Sequence, residues 1–160
     1  MATPDFVLAL RAHIGNAPLW LTGVTAVVLR GRETAHPEVL LVRRADNGAW
    51  TPVTGIIDPG EEPAVAAERE VLEETAITAI AERLALVQVL PPNVYDNGDV
   101  TQYIDLSFRC SYVSGEPFPA DGENTETAWY PIDALPEMSE GMRLRIEAAA
   151  SDEREARFSR

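Results

Sequence analysis

The chain has 160 residues, 46% of them hydrophobic, which suits one domain of residues 1–160 around a single core and argues against two independent domains. Its 13 basic residues against 26 acidic ones leave a formal charge of -13, which would repel a nucleic-acid polymer. The same field would repel a small polyphosphate, so a chain of this charge that binds one is expected to hold cations between its carboxylates and the phosphate oxygens.

The first predicted element is a short amphipathic helix from Thr3 to His13. Thr3 is a candidate N-cap, Pro4 suits the first turn and Gly15 follows the end. Asp5 stands where a signal peptide would carry basic residues, and no apolar run is long enough to cross a bilayer. We therefore expect no membrane partner.

Several short strands are predicted along the next part of the chain. Val24–Leu29 and Val39–Arg43 are β-branched or apolar runs separated by a polar loop, which favours two paired strands. Trp50–Val53 is predicted as a third short strand. Ala85–Leu90 is a further apolar run that is closed by two prolines.

Between these strands, residues Glu61–Thr75 predict a helix. The segment is rich in alanine and glutamate and has Pro63 near its start. Val65 and Leu72, seven residues apart, would share the buried side of this helix.

The last third of the chain predicts two strands and a helix. Tyr103–Cys110 alternates strictly between apolar and polar residues, and Trp129–Tyr130 is a brief strand after an acidic, turn-rich stretch. A long polar helix is predicted from about Ser139 to Phe158. Because Cys110 is the only cysteine, an intrachain disulfide is excluded and the cytoplasm is the expected location. Strands interspersed with helices predict an α/β fold, in which a mixed β-sheet is packed between α-helices.

Three glutamates in the predicted helix carry the main functional signal. Glu70, Glu73 and Glu74 stand at i, i+3 and i+4, so their carboxylates crowd one face. Like charges at this spacing destabilise a helix by about 0.2–0.5 kcal/mol per pair. Arg69 is the only basic residue between positions 55 and 77. Taken alone, such a cluster is more often a solvated acidic face.

The spacing around the glutamates is more specific. Residues 55–77, GIIDPGEEPAVAAEREVLEETAI, resemble the Nudix box, and the glycine, arginine and four glutamates of that box are all present at its intervals. These six residues are Gly55, Glu61, Arg69, Glu70, Glu73 and Glu74. The resemblance extends from about Gly23 to Pro136 and identifies the chain as a member of the Nudix (MutT-like) hydrolase family. Where the box has a further glycine the chain has Ala76, so we expect a slightly different end of the helix.

The resemblance implies a metal site on the helix. Glu70 and Glu74 would be principal ligands of Mg²⁺, with Mn²⁺ as an alternative, and Glu73 would bind directly or through water. Arg69 would pair with a neighbouring carboxylate and fix its orientation. Bound cations would neutralise charge on the phosphate oxygens and activate water.

The loop before the helix has a supporting role in this interpretation. Gly55, or Thr54 beside it, would offer a backbone carbonyl to the metal. Glu61 would support the loop or a second metal, although a charge that favours the helix N-terminus is an equally good explanation.

The general base and the substrate contacts have more than one candidate each. In the family the base lies on the box helix or on a later loop, so Glu70 and Glu123 are both retained. Arg43 and Arg44 end a strand that should reach the site and are candidates for holding phosphates, although strand-end arginines often only solubilise. The candidate base-stacking residues, each more often a packing residue, are Trp20, Tyr95, Tyr103 and Trp129.

Together these features predict a metal-dependent pyrophosphohydrolase that cleaves a phosphoanhydride bond in a nucleoside diphosphate linked to another group. A nucleoside di- or triphosphate is the first candidate, and ADP-ribose or another nucleotide sugar is the alternative. A sensor that binds nucleotide without cleaving it would have no reason to keep every box carboxylate. A calcium-binding structural protein would need an EF-hand loop, which the sequence lacks. The partner is therefore a small nucleotide-like molecule, and a symmetric homodimer is compatible with the sequence.

Overall fold

The computed structural model describes residues 3–160, and it confirms the predicted mixed α/β fold. Within the described range three α-helices accompany the strands, and none of these helices is long and apolar enough to span a membrane. The helices are α1 (Asp5–Ile14), α2 (Pro63–Thr75) and α3 (Glu140–Ala150), with a short 3-10 turn at Ile132–Ala134. The strands are β1 (Leu19–Arg30), β2 (Glu38–Arg44), β3 (Trp50–Thr51), β4 (Val53–Ile56), β5 (Thr78–Val89), β6 (Asn93–Val94), β7 (Val100–Ser114), β8 (Asn124–Pro131) and β9 (Arg157–Phe158).

Within residues 3–160 the strands form one nine-stranded mixed sheet, whose main path runs β3-β2-β1-β7-β5-β9. β1 lies parallel to β7 and antiparallel to β2, which confirms the predicted pairing of the first two strands. β4 joins β1 through the pair Val24 and Gly55, and β8 joins β2 along its length. Strands β4 and β8 therefore both border the β1–β2 pair.

The two faces of the sheet are covered by different helices. Successive residues of a strand point to opposite faces. On one face Val24 and Val28 of β1 pack with α2, whereas on the other face Val27 and Leu29 pack with α3. Alanines at the contact points let both helices approach the sheet closely. These are Ala66 and Ala67 of α2, and Ala148 and Ala149 of α3.

The α3 face also holds a buried ionic contact. Asp105 of β7 is 3% exposed and accepts hydrogen bonds from Thr25 and Ser107 at 2.8 and 2.7 Å. Arg145 of α3, 5% exposed, lies 3.6 Å from the Asp105 carboxylate and donates to the Thr25 hydroxyl. These bonds anchor α3 over the polar side of β7.

The prediction that Val65 and Leu72 share the buried side of α2 is wrong. Each side chain is 53% exposed, and the buried side instead carries Glu70 and Glu74 along with Val71. The reason is that α2 contacts the sheet through Ala66 and Ala67 and, one and two turns further along the helix, through Glu70 and Glu74. The apolar residues at 65 and 72 are left on the opposite, solvent side.

The boundaries of the terminal helices also differ from the prediction. The first helix begins after Pro4, and Pro4 is its N-cap in place of Thr3. The last helix ends at Ala150, and the chain then turns back so that β9 pairs with β5. Arg83 of β5 donates to the carbonyls of Ala148 and Ser151 at 2.8 and 3.0 Å. These bonds satisfy carbonyls at the helix end, which stops the helix eight residues before the predicted Phe158.

The end of α2 corrects a further expectation. Ala76 adopts the left-handed conformation that the usual glycine would take, with φ 57° and ψ 15°, and its N–H donates to the Leu72 carbonyl at 3.0 Å. The helix therefore ends with a left-handed cap despite the missing glycine. A non-glycine residue pays about 1 kcal/mol or more for this conformation.

Candidate active site

The site is built where α2 crosses β4. Glu70 is 8% exposed and its carboxylate lies directly against the backbone of Gly55. A Cβ atom at position 55 would overlap the Cδ and Cγ atoms of Glu70. Gly55 is therefore required because of a close approach between a side chain and the strand backbone.

Arg69 binds the carboxylates on the flank of the helix. Its Nε and Nη2 donate to the two oxygens of Glu61 at 2.8 and 2.9 Å, and Nη1 donates to Glu70 at 2.9 Å and Glu73 at 3.1 Å. A further bond from Nη2 reaches the Ile56 carbonyl at 3.3 Å. A two-pronged guanidinium–carboxylate pair of this kind fixes orientation as well as charge. Arg69 thus ties the loop before α2 to the glutamates on the helix.

Glu61 closes this loop. Its Oε2 accepts a hydrogen bond from the backbone N–H of Asp58 at 3.2 Å, in addition to the two bonds from Arg69. The hydrogen bond from Arg69 is the main reason why the pKa of Glu61 lies below its usual value. The geometry therefore gives Glu61 a loop-supporting position.

Glu74 is the most enclosed carboxylate of the site. It is 4% exposed, and its Oε2 accepts a hydrogen bond from the Asn124 side-chain amide at 2.8 Å. Burial raises the pKa of Glu74 to about 8, although the bond from Asn124 acts in the opposite direction. The negative charges of Glu70, Glu123 and Asp121 raise it further.

The pKa of Glu70 is also raised above its usual value. Burial raises the pKa of this carboxyl to about 7, against the lowering effect of Arg69, and the charges of Glu73 and Glu123 add to the increase. Two adjacent acidic groups are thus held out of water with pKa values near neutrality. Perturbed carboxyls of this kind are typical of functional sites.

A loop between β7 and β8 brings Glu123 to the same place. The N–H of Phe118 donates to the Thr75 carbonyl at 3.0 Å, and the N–H of Ala120 donates to the Glu74 carbonyl at 3.1 Å. The carbonyls at the end of α2 are therefore bound by this loop. Glu123 follows within three residues and is partly buried. Its charge acts on both Glu70 and Glu74.

The two arginines at the end of β2 point in opposite directions. Arg44 lies on the α2 face, where it pairs with Asp46 at 2.6 Å; this bond, together with the charges of Glu74 and Glu123, raises the pKa of Arg44. Arg43 lies on the opposite face and pairs with Glu126 at 2.6 Å. Of the two predicted phosphate-binding arginines, the fold brings Arg44 to the glutamates and turns Arg43 away.

The aromatic candidates are also separated by the fold. Trp129 packs edge-on against Tyr112 beside the α2 core, and Trp20 is 57% exposed at the start of β1. The hydroxyls of Tyr95 and Tyr103 lie 3.2 Å apart. The pKa of Tyr95 is lowered overall. Burial acts to raise it, but the hydrogen bond to Tyr103 and the charge of Arg44 are among the effects that lower it. The charge of Arg44 thus links the tyrosine pair to the site, although Tyr103 itself packs with Val7, Leu21 and Ile56.

The acidic side chains of the site do not form a ready-made set of ligands for a divalent cation. Among residues 3–160, no three His, Cys, Asp or Glu groups are gathered closely enough to ligate one ion as they lie. Arg69 instead bridges Glu70 and Glu73. The donor chemistry nevertheless fits, since Glu70 and Glu74 are buried acids whose ionised forms are disfavoured until positive charge is supplied. Oxygen donors of this type suit Mg²⁺ or Mn²⁺.

Sequence reasoning missed Asn124. The residue is 6% exposed and contacts the deepest carboxylate of the site. Its only signal in the sequence is that it follows Glu123, and nothing in the spacing shows that it meets a helix 50 residues earlier.

Similarity to known proteins identifies the chain as a hydrolase of phosphorus-containing anhydrides. The model of the NUDIX domain matches residues 20–149, and the chain belongs to this family. It is 33% identical over 132 residues to a MutT-like protein of Streptomyces ambofaciens, a match that covers 82% of this chain and 77% of that protein. It is 30% identical over 113 residues to the NAD-capped RNA hydrolase NudC of Chromobacterium violaceum, covering 69% of this chain and 37% of that protein.

Solved structures agree with the family assignment at the level of the fold. An ADP-ribose pyrophosphatase of Streptococcus suis superimposes with a TM-score of 0.67 at 19% identity, covering 87% of this chain and 98% of that one. A MutT Nudix hydrolase of Burkholderia pseudomallei gives a TM-score of 0.64 at 23% identity, covering 81% of this chain and 98% of that one. The match to the NUDIX domain and to the MutT-like protein confirms the predicted family and enzyme class, and the solved structures confirm the fold.

Proposed function

We propose that the chain is a divalent-metal-dependent pyrophosphohydrolase that cleaves a phosphoanhydride bond in a nucleoside di- or triphosphate. The observation that carries this proposal is the buried carboxylate pair, Glu70 and Glu74, which share the negative field of Glu123. Burying two acids is costly unless positive charge compensates them. A bound divalent cation would remove that cost, and the phosphates of a substrate would complete its oxygen shell.

In this proposal Glu70 and Glu74 hold Mg²⁺, or Mn²⁺ in its place, and Glu73 binds directly or through water. When bound, the cation supplies positive charge that favours attack of water on phosphorus. Arg69 and Glu61 keep the ligand-bearing helix and the preceding loop in register through their paired bonds. Gly55 leaves room for the Glu70 carboxylate.

Glu123 is the general base that we propose. Glu70 is pressed against Gly55, accepts a bond from Arg69 on one oxygen and is already assigned to the cation, so it is poorly placed to take a proton from water as well. Glu123 sits on a loop at the edge of the same acidic group and is only partly buried. Its base function would be to take a proton from the attacking water.

Arg44 is proposed to bind the substrate phosphates. Its guanidinium already lies in the field of Glu74 and Glu123, and within residues 3–160 its ion pair is with the exposed loop residue Asp46. A phosphate oxygen would compete well with this surface pair, because exposed ion pairs contribute about 0–1 kcal/mol. Arg43 is left out of the proposed contact set because it lies on the other face.

A relative named for a triphosphate substrate supports the choice of a polyphosphate. The chain is 41% identical over 61 residues to the dihydroneopterin triphosphate diphosphatase of Escherichia coli K12, covering 38% of this chain and 40% of that protein. Cytoplasmic location is part of the same proposal and is supported by the single, buried cysteine Cys110.

The test is a substrate panel with product analysis. Purified protein and Mg²⁺ would be incubated with nucleoside triphosphates, nucleoside diphosphates, ADP-ribose, nucleotide sugars and a dinucleoside polyphosphate. Chromatography would then separate nucleoside monophosphate, pyrophosphate and phosphate. We expect Mg²⁺-dependent turnover that is fastest on a nucleoside di- or triphosphate and is lost in Glu74→Gln. Faster turnover of ADP-ribose would refute the substrate assignment, and full activity in Glu74→Gln would refute the site.

A further inference from the structure

We propose that Asn124 is a positioning residue for the metal site, holding the Glu74 carboxylate in the orientation that accepts a cation. This inference rests on the proposed function, since Glu74 is taken as a metal ligand. Asn124 donates from Nδ2 to Glu74 Oε2 at 2.8 Å, and the two residues are 6% and 4% exposed. A bond so well enclosed is shielded from competition by water.

The chemistry of the amide suits this task. A carboxylate has two oxygens and several lone pairs, so an amide N–H on Oε2 leaves Oε1 and further lone pairs for a cation. A lysine or arginine at this position would neutralise the negative charge of Glu74, which is what attracts the cation. A neutral donor orients the carboxylate and keeps its charge, as outer-shell partners of metal ligands do.

A local irregularity in the sheet aims Asn124 at the site. Strands β2 and β8 pair regularly through Val42 with Thr127 and Arg43 with Glu126, but the next pair joins Arg44 to Asn124. Thr125 is the extra residue of a β-bulge. If Thr125 instead continued the regular pairing opposite Arg44, strand alternation would turn Asn124 to the face opposite α2. Bulges beside functional sites commonly redirect a side chain in this way.

The backbone around Asn124 is fixed to the same helix by independent contacts. Ala120 donates to the Glu74 carbonyl at 3.1 Å, so both the main chain and the side chain of Glu74 are held by one loop. Gly115 begins that loop with φ 106°, and a Cβ there would lie 2.6 Å from the Ala76 carbonyl oxygen. The loop that carries Glu123 and Asn124 is thus seated on the C-terminal end of α2.

A purely structural role makes a different prediction. If Asn124 only filled space, a side chain of similar volume without a donor would serve as well. If it positions Glu74, every variant that lacks the amide should weaken metal binding, whatever its volume. The two roles are therefore separated by comparing Asn124→Ala with Asn124→Leu.

The experiment measures Mn²⁺ binding to the full chain without substrate, by electron paramagnetic resonance of the free ion. Loss of an outer-shell partner typically weakens metal affinity on the order of 10- to 100-fold, and we expect this for both Asn124→Ala and Asn124→Leu. Asn124→Ser, with a shorter donor, should bind with intermediate affinity. Turnover at saturating Mg²⁺ should change much less than the affinity. The matched control is Asn16→Ala, which removes an exposed amide bond to the Asn97 carbonyl and should bind Mn²⁺ like the unaltered chain.

Thermal unfolding in EDTA would check that each variant folds. Because three different substitutions are made at position 124, the test can proceed if at least one of these variants folds. Wild-type affinity in Asn124→Leu or Asn124→Ala would overturn the positioning role while leaving the proposed function intact. Absence of Mn²⁺ binding by the unaltered chain would instead overturn the proposed function, and this inference with it.

Discussion

Glu74→Gln is expected to stabilise the metal-free protein at alkaline pH while abolishing its response to Mg²⁺. Burial raises the pKa of Glu74 to about 8 from an ordinary value of 4.5. The folded state therefore favours the protonated acid, and no penalty exists well below pH 4.5, where both states are protonated. As pH rises from 4.5 to 8 the unfolded chain ionises before the folded one, so stability falls through this window.

The size of the effect follows from the pKa difference. Each pKa unit corresponds to about 1.4 kcal/mol, so the penalty from Glu74 is about 1 kcal/mol at pH 5 and about 4 kcal/mol at pH 8. Glutamine does not ionise, and its carbonyl is able to accept the bond from Asn124. The substitution should therefore increase the free energy of unfolding at pH 8 by about 2–4 kcal/mol more than at pH 5.

Urea unfolding in EDTA at pH 5 and pH 8 measures this difference, since Glu70 is present in both proteins and its contribution largely cancels. Glu73→Gln is the matched control on the same helix: its side chain is 54% exposed, and loss of its pairing with Arg69 should change stability by about 1 kcal/mol or less. Mg²⁺ at pH 8 should stabilise the unaltered chain and leave Glu74→Gln unchanged. The same stability difference between the two proteins at pH 5 and at pH 8 would show that Glu74 is not buried as an acid.

Four further substitutions test the close approach at Gly55, the cap of α2 and the two arginines of β2. Gly55→Ala should displace Glu70, lowering the free energy of unfolding by about 1–3 kcal/mol in urea titrations and weakening Mn²⁺ binding. Ala76→Gly should increase the free energy of unfolding by about 0.5–1 kcal/mol, because glycine adopts the left-handed cap without strain; no gain would indicate that the cap is relaxed. Arg44→Ala should raise KM for the substrate about tenfold or more, whereas Arg43→Ala should change it less than about threefold. Equal effects of the two arginine substitutions on steady-state kinetics would contradict their assignment to opposite faces.

The sequence was sufficient for the parts of the molecule that depend on spacing within one element. The interval from Gly55 to Ile77 predicted a glutamate-bearing helix after a strand, and β7 was predicted from its alternation. It was insufficient where the outcome depends on which element packs on which face. Val65 and Leu72 look like a buried pair, yet α2 buries Glu70 and Glu74 because the alanines and Gly55 allow the acidic side to approach the sheet.

The remaining errors share a cause in long-range contacts. The polar segment after Ala150 has helical composition, but arginines from β5 and β7 bind the carbonyls at the end of α3, and β9 pairs with β5. Asn124 was missed because its direction is set by a bulge between two strands that are about 80 residues apart in the chain. Contacts of this kind cannot be read from local propensity.

The most direct test of the central claim is a crystal of the protein soaked in Mn²⁺, with the ion located by its anomalous scattering. A peak is expected between the carboxylates of Glu70 and Glu74, and Asn124 should keep its bond to Glu74 when the ion is bound. A peak elsewhere on the molecule, or no peak beside these two carboxylates, would contradict the proposed metal site.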